Sequence, residues 1–165
     1  MRIAVFGNRY QEAHIEELST LFDLMSRHNV WVEMEESFYN YLCSVLTSPP
    51  EVNDLIKGDD FNAAIALSIG GDGTFLRTAQ RVGEKEIPIL GINTGHLGYL
   101  ADVTVDEAND KLQNLLDGKY HVESRTMIAV TSPDARLDLW RYALNEVAIL
   151  KEDTSSMIEL SLIHI

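Results

Sequence analysis

The sequence predicts an α/β fold in which an open, mainly parallel, Rossmann-like sheet with helices on both faces is followed by the first strands of an all-β second domain. Three observations predict it. Short apolar runs alternate with amphipathic runs of helical spacing as far as Gly118, glycines close several helical runs, and beyond Gly118 only strand-like runs follow. We therefore expect an α/β domain over residues 1–118 and a partial all-β domain over residues 119–165.

Apolar periodicity and loop-forming residues predict the elements of the first half. Residues 2–7 (RIAVFG) form an apolar run ending in glycine, which is typical of a buried first strand. Proline and glycine mark the loops. The further predicted elements are a helix in 14–29, a strand over 30–34, a helix over 37–46 and a short helix over 50–58 that Gly58 closes.

The second half of the chain continues the alternation of strands and helices as far as Gly118, and only strand-like runs follow. Residues 61–70 (FNAAIALSIG) are the most strand-like and most apolar run of the chain. Residues 104–118 begin with a capping box of Thr104 and Glu107. The remaining predictions are a helix from Thr74 to Gly83, a strand over 87–93, and strands within 120–130, 136–150 and 155–165.

Composition and charge exclude several classes of function. The formal net charge is −13, so no basic surface is available for nucleic acid or for an anionic membrane. No apolar run reaches the ~18 residues of a membrane span. The single cysteine, Cys43, forms neither an internal disulfide nor a cysteine-based zinc site, and it favours a reducing compartment. We expect a cytoplasmic protein without nucleic-acid or membrane partners.

The turn IGGDGT (Ile69–Thr74) lies where a predicted strand runs into a predicted helix. In alternating α/β folds ligands bind at such junctions, and helix amino termini favour phosphate. The Walker and dinucleotide glycine patterns are both absent. Asp72 would repel a phosphate, so we expect it to accept or orient the proton of an attacking hydroxyl, to hold a sugar hydroxyl or metal, or simply to cap the helix. Arg77 follows where it could reach phosphate.

Two further motifs give the turn a family context. Gly-Gly-Asp-Gly-Thr occurs in NAD kinases and in diacylglycerol and sphingosine kinases, and with serine in phosphofructokinases. The segment PILGINTGHLGYLAD (Pro88–Asp102) and the later LNEVAI (Leu144–Ile149) closely resemble NAD kinase motifs in the order of that family. The Gly-Thr-Gly-Asn-Asp element of lipid kinases is absent. The resemblance spans about the last 100 residues.

The resemblance implies an activity and a set of site residues. The reaction is transfer of the terminal phosphoryl group of ATP, with Mg²⁺ or another divalent cation, to the adenosine ribose 2′-hydroxyl of NAD, which gives NADP. By this resemblance Asp72 is catalytic and receives or orients the hydroxyl proton. The resemblance implies that Gly73, Tyr99, Asn145 and Glu146 bind the nucleotide. Gly71 and Arg77 in and after the turn are further predicted binding residues. No protein ligand for a metal is implied.

One departure from the family concerns its second domain. NAD kinases carry a Thr-Pro-Thr-Gly-Ser-Thr segment preceded by an Asp-Gly motif, and neither occurs here. We therefore expect a truncated chain with absent or impaired activity, from a family that forms homo-oligomers through that domain. The alternatives are a non-catalytic nucleotide-binding or partner module, and a lipid or sugar kinase of the same superfamily.

Overall fold

The computed structural model describes residues 1–9, 12–95, 98–131 and 141–148, and the single residues 157, 161 and 163. Its main sheet has six strands, and every neighbouring pair in it is parallel. The strands are β1 (Arg2–Gly7), β2 (Trp31–Glu35), β3 (Asp54–Ile56), β4 (Ile65–Ile69), β5 (Ile89–Asn93) and β6 (Val103–Thr104), and the helices are α1 (Ile15–Arg27), α2 (Glu36–Val45), α3 (Asp72–Val82) and α4 (Val105–Leu116).

The strand order β3-β2-β1-β4-β5-β6 places β1 and β4 side by side at the centre. The chain moves outward in one direction through β2 and β3, then returns to β4 and moves outward in the other direction. The carboxyl ends of β1 and β4 meet where Gly7 is the register partner of Ile69. This is the reversal point at which doubly wound sheets bind ligands.

Apolar side chains cover both faces of the sheet, as the sequence predicts. Helices α1, α2 and α4 pack on one face, where Leu18, Phe38 and Leu112 are buried against strand residues. Helix α3 packs on the other face, where Val82 joins the cluster around Phe6. Because β4 is covered on both sides, all five of its residues are buried, which explains its unbroken apolar run.

The helix predicted over residues 50–58 is wrong, because residues 54–56 form β3. This short strand pairs with β2 from Glu33↔Asp54 to Glu35↔Ile56. Asn53 sets the register by exchanging two hydrogen bonds with Val32: its backbone N–H donates to the Val32 carbonyl and its side-chain oxygen accepts from the Val32 N–H, both at 2.8 Å. Three residues carry too little periodicity to reveal a strand, so pairing with β2 decides the structure here.

A small antiparallel sheet follows α4, as expected for the start of an all-β region. It joins β7 (Ile128–Ala129) to β8 (Tyr142–Ala143). The strand predicted within residues 120–130 is thus only two residues long. Residues 132–140 and 149–150 and most of the strand predicted over 155–165 lie outside the described residues. The boundary between domains at residue 118 stays a prediction.

In the part of the chain that the structure describes, no helix is both long and apolar enough to span a membrane.

Candidate functional site

The glycine-rich turn leads from the buried strand β4 directly into α3. Gly70 has φ +152°, and a Cβ there would overlap the Thr74 side chain, so only glycine fits. Gly71 is the residue before the helix, and Asp72 is the first helical residue, two positions earlier than the predicted start at Thr74. Among the described hydrogen bonds, none joins the Asp72 carboxylate to a backbone N–H of α3. The capping alternative for Asp72 is therefore wrong.

The Asp72 carboxylate instead accepts hydrogen bonds from three consecutive backbone amides of another segment. The N–H of Tyr99 donates to Oδ2 at 2.9 Å, and the N–H groups of Leu100 and Ala101 donate to Oδ1 at 3.1 and 3.2 Å. These three bonds, with that of Tyr99 contributing most, lower the pKa of Asp72 below its ordinary value, while burial opposes them. Asp72 is therefore ionised at neutral pH.

The carboxylate still has room for one more donor. A carboxylate offers about four lone-pair positions. Among the hydrogen bonds of the described residues, Oδ1 of Asp72 accepts two and Oδ2 accepts one. Among the described residues, one position on Oδ2 thus remains for a further donor such as a hydroxyl group.

The three amides belong to residues 98–101, which we call the amide segment. Ala101 at its end is buried and packs against Gly91 of β5, where a Cβ would lie 2.9 Å from the Ala101 Cα. The side chain of Tyr99 is fully exposed, at 100% relative accessibility. The structure therefore brings Tyr99 to Asp72 through its backbone and presents its ring to solvent.

The surface next to Asp72 is open on the side of the helix amino terminus. A Cβ built on Gly71 or on Gly73 meets no atom of the described residues within 4 Å. The first amides and the positive end of the dipole of α3 thus face open space beside an ionised carboxylate. This arrangement can bind a phosphorylated molecule that also carries a hydroxyl group.

Arg77 lies one turn further along α3 and faces a different opening. Its guanidinium donates to the Thr74 hydroxyl at 3.2 Å. It lines a cleft of about 690 Å³ together with Arg81, Lys85 and Tyr142, and Asp72 is not part of this lining. Among the described residues, Arg77 and Asp72 thus do not line this cleft together.

Asn145 and Glu146 are exposed and follow β8. Strand β8 contacts the carboxyl end of α3, where the Tyr142 hydroxyl donates to Glu84. The two ends of α3 are about 15 Å apart at 1.5 Å per residue. Among the described hydrogen bonds, none joins Asn145 or Glu146 to Asp72, so the structure does not assemble these predicted site residues directly.

Sequence reasoning missed Asn93, which is 5% exposed at the end of β5. Its Nδ2 donates to the carbonyl of Ala101 at 3.2 Å, and its Oδ1 accepts from the N–H of Gly95 at 2.9 Å. The available signal was a polar residue ending an apolar strand directly before a glycine-containing loop. Such a residue is buried only when both of its polar groups are paired.

Comparison with known proteins assigns this architecture to a family. A family model described as the ATP-NAD kinase N-terminal domain matches residues 3–120, which include Asp72 and the whole amide segment. The chain belongs to the NAD kinase family. The resemblance drawn from the sequence motifs is confirmed.

Curated NAD kinases match almost the whole chain. That of Bacteroides fragilis is 44% identical over 160 residues, covering 97% of this chain and 55% of the relative. That of Porphyromonas gingivalis is 36% identical over 170 residues, with the same shares covered. The chain therefore spans about half the length of the curated relatives it matches.

A solved structure shares the fold. It is yeast NADH kinase complexed with NADH, which matches with a TM-score of 0.64 and 17% identity, covering 80% of this chain and 44% of that chain. The prediction of a Rossmann-like α/β sheet is confirmed.

Proposed function

We propose that this chain supplies the glycine-rich half of an NAD kinase site, in which ATP phosphorylates the adenosine ribose 2′-hydroxyl of NAD. The observation that carries the proposal is the ionised Asp72 carboxylate beside the open amino terminus of α3. Family membership supplies the substrates. In the reaction the 2′-oxygen forms a bond to the terminal phosphorus of ATP as the bond from that phosphorus to ADP breaks, and the hydroxyl proton is released.

Asp72 orients the 2′-hydroxyl rather than storing its proton. A carboxylate with a lowered pKa is a weak proton acceptor, but it remains a strong hydrogen-bond acceptor. Holding the hydroxyl on Oδ2 directs the lone pair of the 2′-oxygen toward the phosphorus. In phosphoryl transfer such positioning carries most of the catalysis.

The other predicted residues take supporting roles in this proposal. Gly71 and Gly73 leave space for the nucleotide against the first turn of α3, and the exposed Tyr99 ring stacks on the adenine. Arg77 adds positive charge for phosphate. Asn145 and Glu146 supply donors and acceptors for a ribose or an adenine edge.

The divalent cation enters with ATP in this proposal. Among the described residues, no group of three or more His, Cys, Asp or Glu side chains lies close enough to hold a metal ion. The proposal names no protein ligand for the cation. Mg²⁺ is commonly held by substrate phosphates and water, and it neutralises phosphate charge during transfer.

We also propose a cytoplasmic site of action and assembly into homo-oligomers through parts of the protein outside this chain. A single cysteine suits a reducing compartment. The net charge of −13 disfavours nucleic acid and anionic membranes as partners.

The test is a coupled assay of NADP formation from NAD and MgATP. It uses the chain alone and the "joined protein", in which residues 1–165 are fused to the part of the Bacteroides fragilis relative that the match leaves uncovered. Diacylglycerol and fructose phosphate serve as control acceptors. We expect the joined protein to form NADP and to leave both controls unphosphorylated.

Measurements on the chain alone distinguish NADP formation from NAD binding. If it binds NAD in calorimetry without forming NADP, it acts as a binding module that depends on the rest of the site. A folded joined protein that binds NAD and MgATP but phosphorylates only a lipid or a sugar would contradict the proposal.

A further inference from the structure

The Asp72 carboxylate is held without help from any charged side chain of the described residues. The causes of its lowered pKa are the three amides of the amide segment, and only burial opposes them. No charged group on α3, on β5 or in residues 98–104 contributes. The state of this carboxylate therefore depends on how the amide segment itself is held.

Asn93 holds the segment at its carboxyl end. Its Nδ2 donates to the carbonyl of Ala101, the residue whose N–H donates to Asp72. Its Oδ1 accepts from the N–H of Gly95, on the other side of the loop. The buried amide thus uses a donor and an acceptor at once, which neither a leucine nor an aspartate of similar size can do.

Gly98 provides the space that the carboxylate occupies. A Cβ at this position would overlap Oδ1, Oδ2 and Cγ of Asp72 at the same time. Because Asp72 is fixed on the first turn of α3, any side chain at position 98 must push either the carboxylate or the segment away. Either displacement changes the geometry of the three amide bonds.

We propose that Asn93 and Gly98 are positioning residues for Asp72: Asn93 fixes the segment whose amides bind the carboxylate, and Gly98 leaves the room in which it lies. The proposal rests on the proposed function, because the carboxylate so positioned is the one that orients the ribose 2′-hydroxyl. Neither residue contacts the substrate, and both act through Asp72.

The first experiment needs no substitution. In the 165-residue chain, the Asp72 carboxyl carbon and the amides of Tyr99, Leu100 and Ala101 are followed by NMR from neutral to acid pH. We expect all four to titrate with one midpoint below the ordinary range of aspartate. Amides that do not move with the carboxyl carbon, or a midpoint in the ordinary range, would overturn the proposal.

Variants then test each positioning residue against a matched control. Asn93→Ala and Gly98→Ala should raise the pKa of Asp72 toward its ordinary range. The controls are Asn114→Ala, at an exposed position of α4, and Gly58→Ala, where a Cβ meets no described atom within 4 Å; both should leave the pKa of Asp72 unchanged. A merely structural role would lower the melting temperature of Asn93→Ala but leave the pKa of Asp72 as in the wild type, and that result would refute the role of Asn93.

The joined protein adds a kinetic readout. For Asn93→Ala we expect kcat for NADP formation to fall about tenfold or more while KM for NAD changes little, because the lost effect is on orientation. A fall that appears only in KM contradicts the proposal. The NMR titration uses no substrate, so its failure is distinct from a failure of the proposed kinase activity.

Discussion

At the amino end of α3 one carboxylate binds three backbone amides, whereas at its carboxyl end one guanidinium binds acidic side chains. Arg81 contacts Glu35 at 2.6 Å and Asp59 at 2.9 Å, and it also donates to the carbonyl of Gly58. Its guanidinium carbon lies 4.9 Å from the centre of the Phe6 ring. These contacts tie α3 to β2, to the loop after β3 and to the core.

The two sets of contacts have different roles. The Arg81 contacts join side chains from several elements, and they contribute to stability. Within the described part of the chain the Asp72 contacts use only backbone donors, and there the side chain of Tyr99 stays exposed and one lone pair of Oδ2 stays available. The comparison indicates that the carboxyl end of α3 stabilises the fold, whereas the amino end holds the carboxylate to which we assign the orienting role in the proposed reaction.

The largest expected effect is on catalysis at the amino end. In the joined protein, Asp72→Asn should reduce kcat by about 10²-fold or more, because the amide loses the charged acceptor that orients the hydroxyl. The assay is NADP formation under saturating substrates. Asp110→Asn, at an exposed position of α4, is the matched control and should retain activity. Equal rates for the two variants would remove Asp72 from the mechanism.

The next effect is on stability at the carboxyl end. Arg81→Met should lower the free energy of unfolding by about 2 kcal/mol, because Glu35 and Asp59 lose a partly buried partner. Urea denaturation measures this value, and Arg125→Met, which removes an exposed pair with Glu123, should cost less than about 1 kcal/mol. The pKa of Asp72 should not change in Arg81→Met. A change there would mean that the two ends are coupled.

The fold was largely predictable because its longer elements carry strong local signals. The run over β4, the helical spacing of α1 and the capping box of α4 each determine their own element. By contrast β3 has three residues and β6 has two, and each is a strand because it pairs with a neighbouring strand. No pattern within so short a segment predicts that pairing.

The site was predictable only in part. The turn around Asp72 stood out because glycines and one carboxylate follow an apolar strand. Its partners did not, because the bonds to residues 99–101 span 27 to 29 positions and depend on the fold. The roles of Gly98 and Asn93 can be recognised only in the folded structure, where Gly98 lies against the Asp72 carboxylate and Asn93 binds the carbonyl of Ala101.

A smaller effect is expected in the acid dependence of stability. The pKa of Asp72 is lower in the folded chain than in the unfolded chain, so its contacts stabilise the fold fully above the unfolded-state pKa. This contribution is lost as the pH falls through the folded-state pKa.

The measurement is the difference in unfolding free energy between the wild type and Asp72→Asn, followed from neutral to acid pH. We expect it to be constant near neutrality and to shrink in acid. The lowered pKa of Glu107 is common to both proteins and cancels in the difference. A difference that grows in acid would contradict the assigned direction.

The smallest effect distinguishes the two ends by salt. Raising the ionic strength to about 1 M shortens the Debye length to about 3 Å and should reduce the stability difference between wild type and Arg81→Met by a few tenths of a kcal/mol. The pKa of Asp72 should move less, because its partners are amide dipoles in direct contact. Urea denaturation at two salt concentrations measures the stability difference, and NMR titration at the same concentrations measures the pKa of Asp72. If both quantities were equally sensitive to salt, both ends of α3 would rely on the same kind of interaction.

The most direct test of the central claim is a crystal structure of the joined protein with NAD bound. Our account predicts the adenosine ribose 2′-oxygen at hydrogen-bond distance, about 2.7 Å, from Oδ2 of Asp72, with the three amide bonds to residues 99–101 retained. A 2′-hydroxyl directed away from Asp72, or a carboxylate that has left the amide segment, would contradict it.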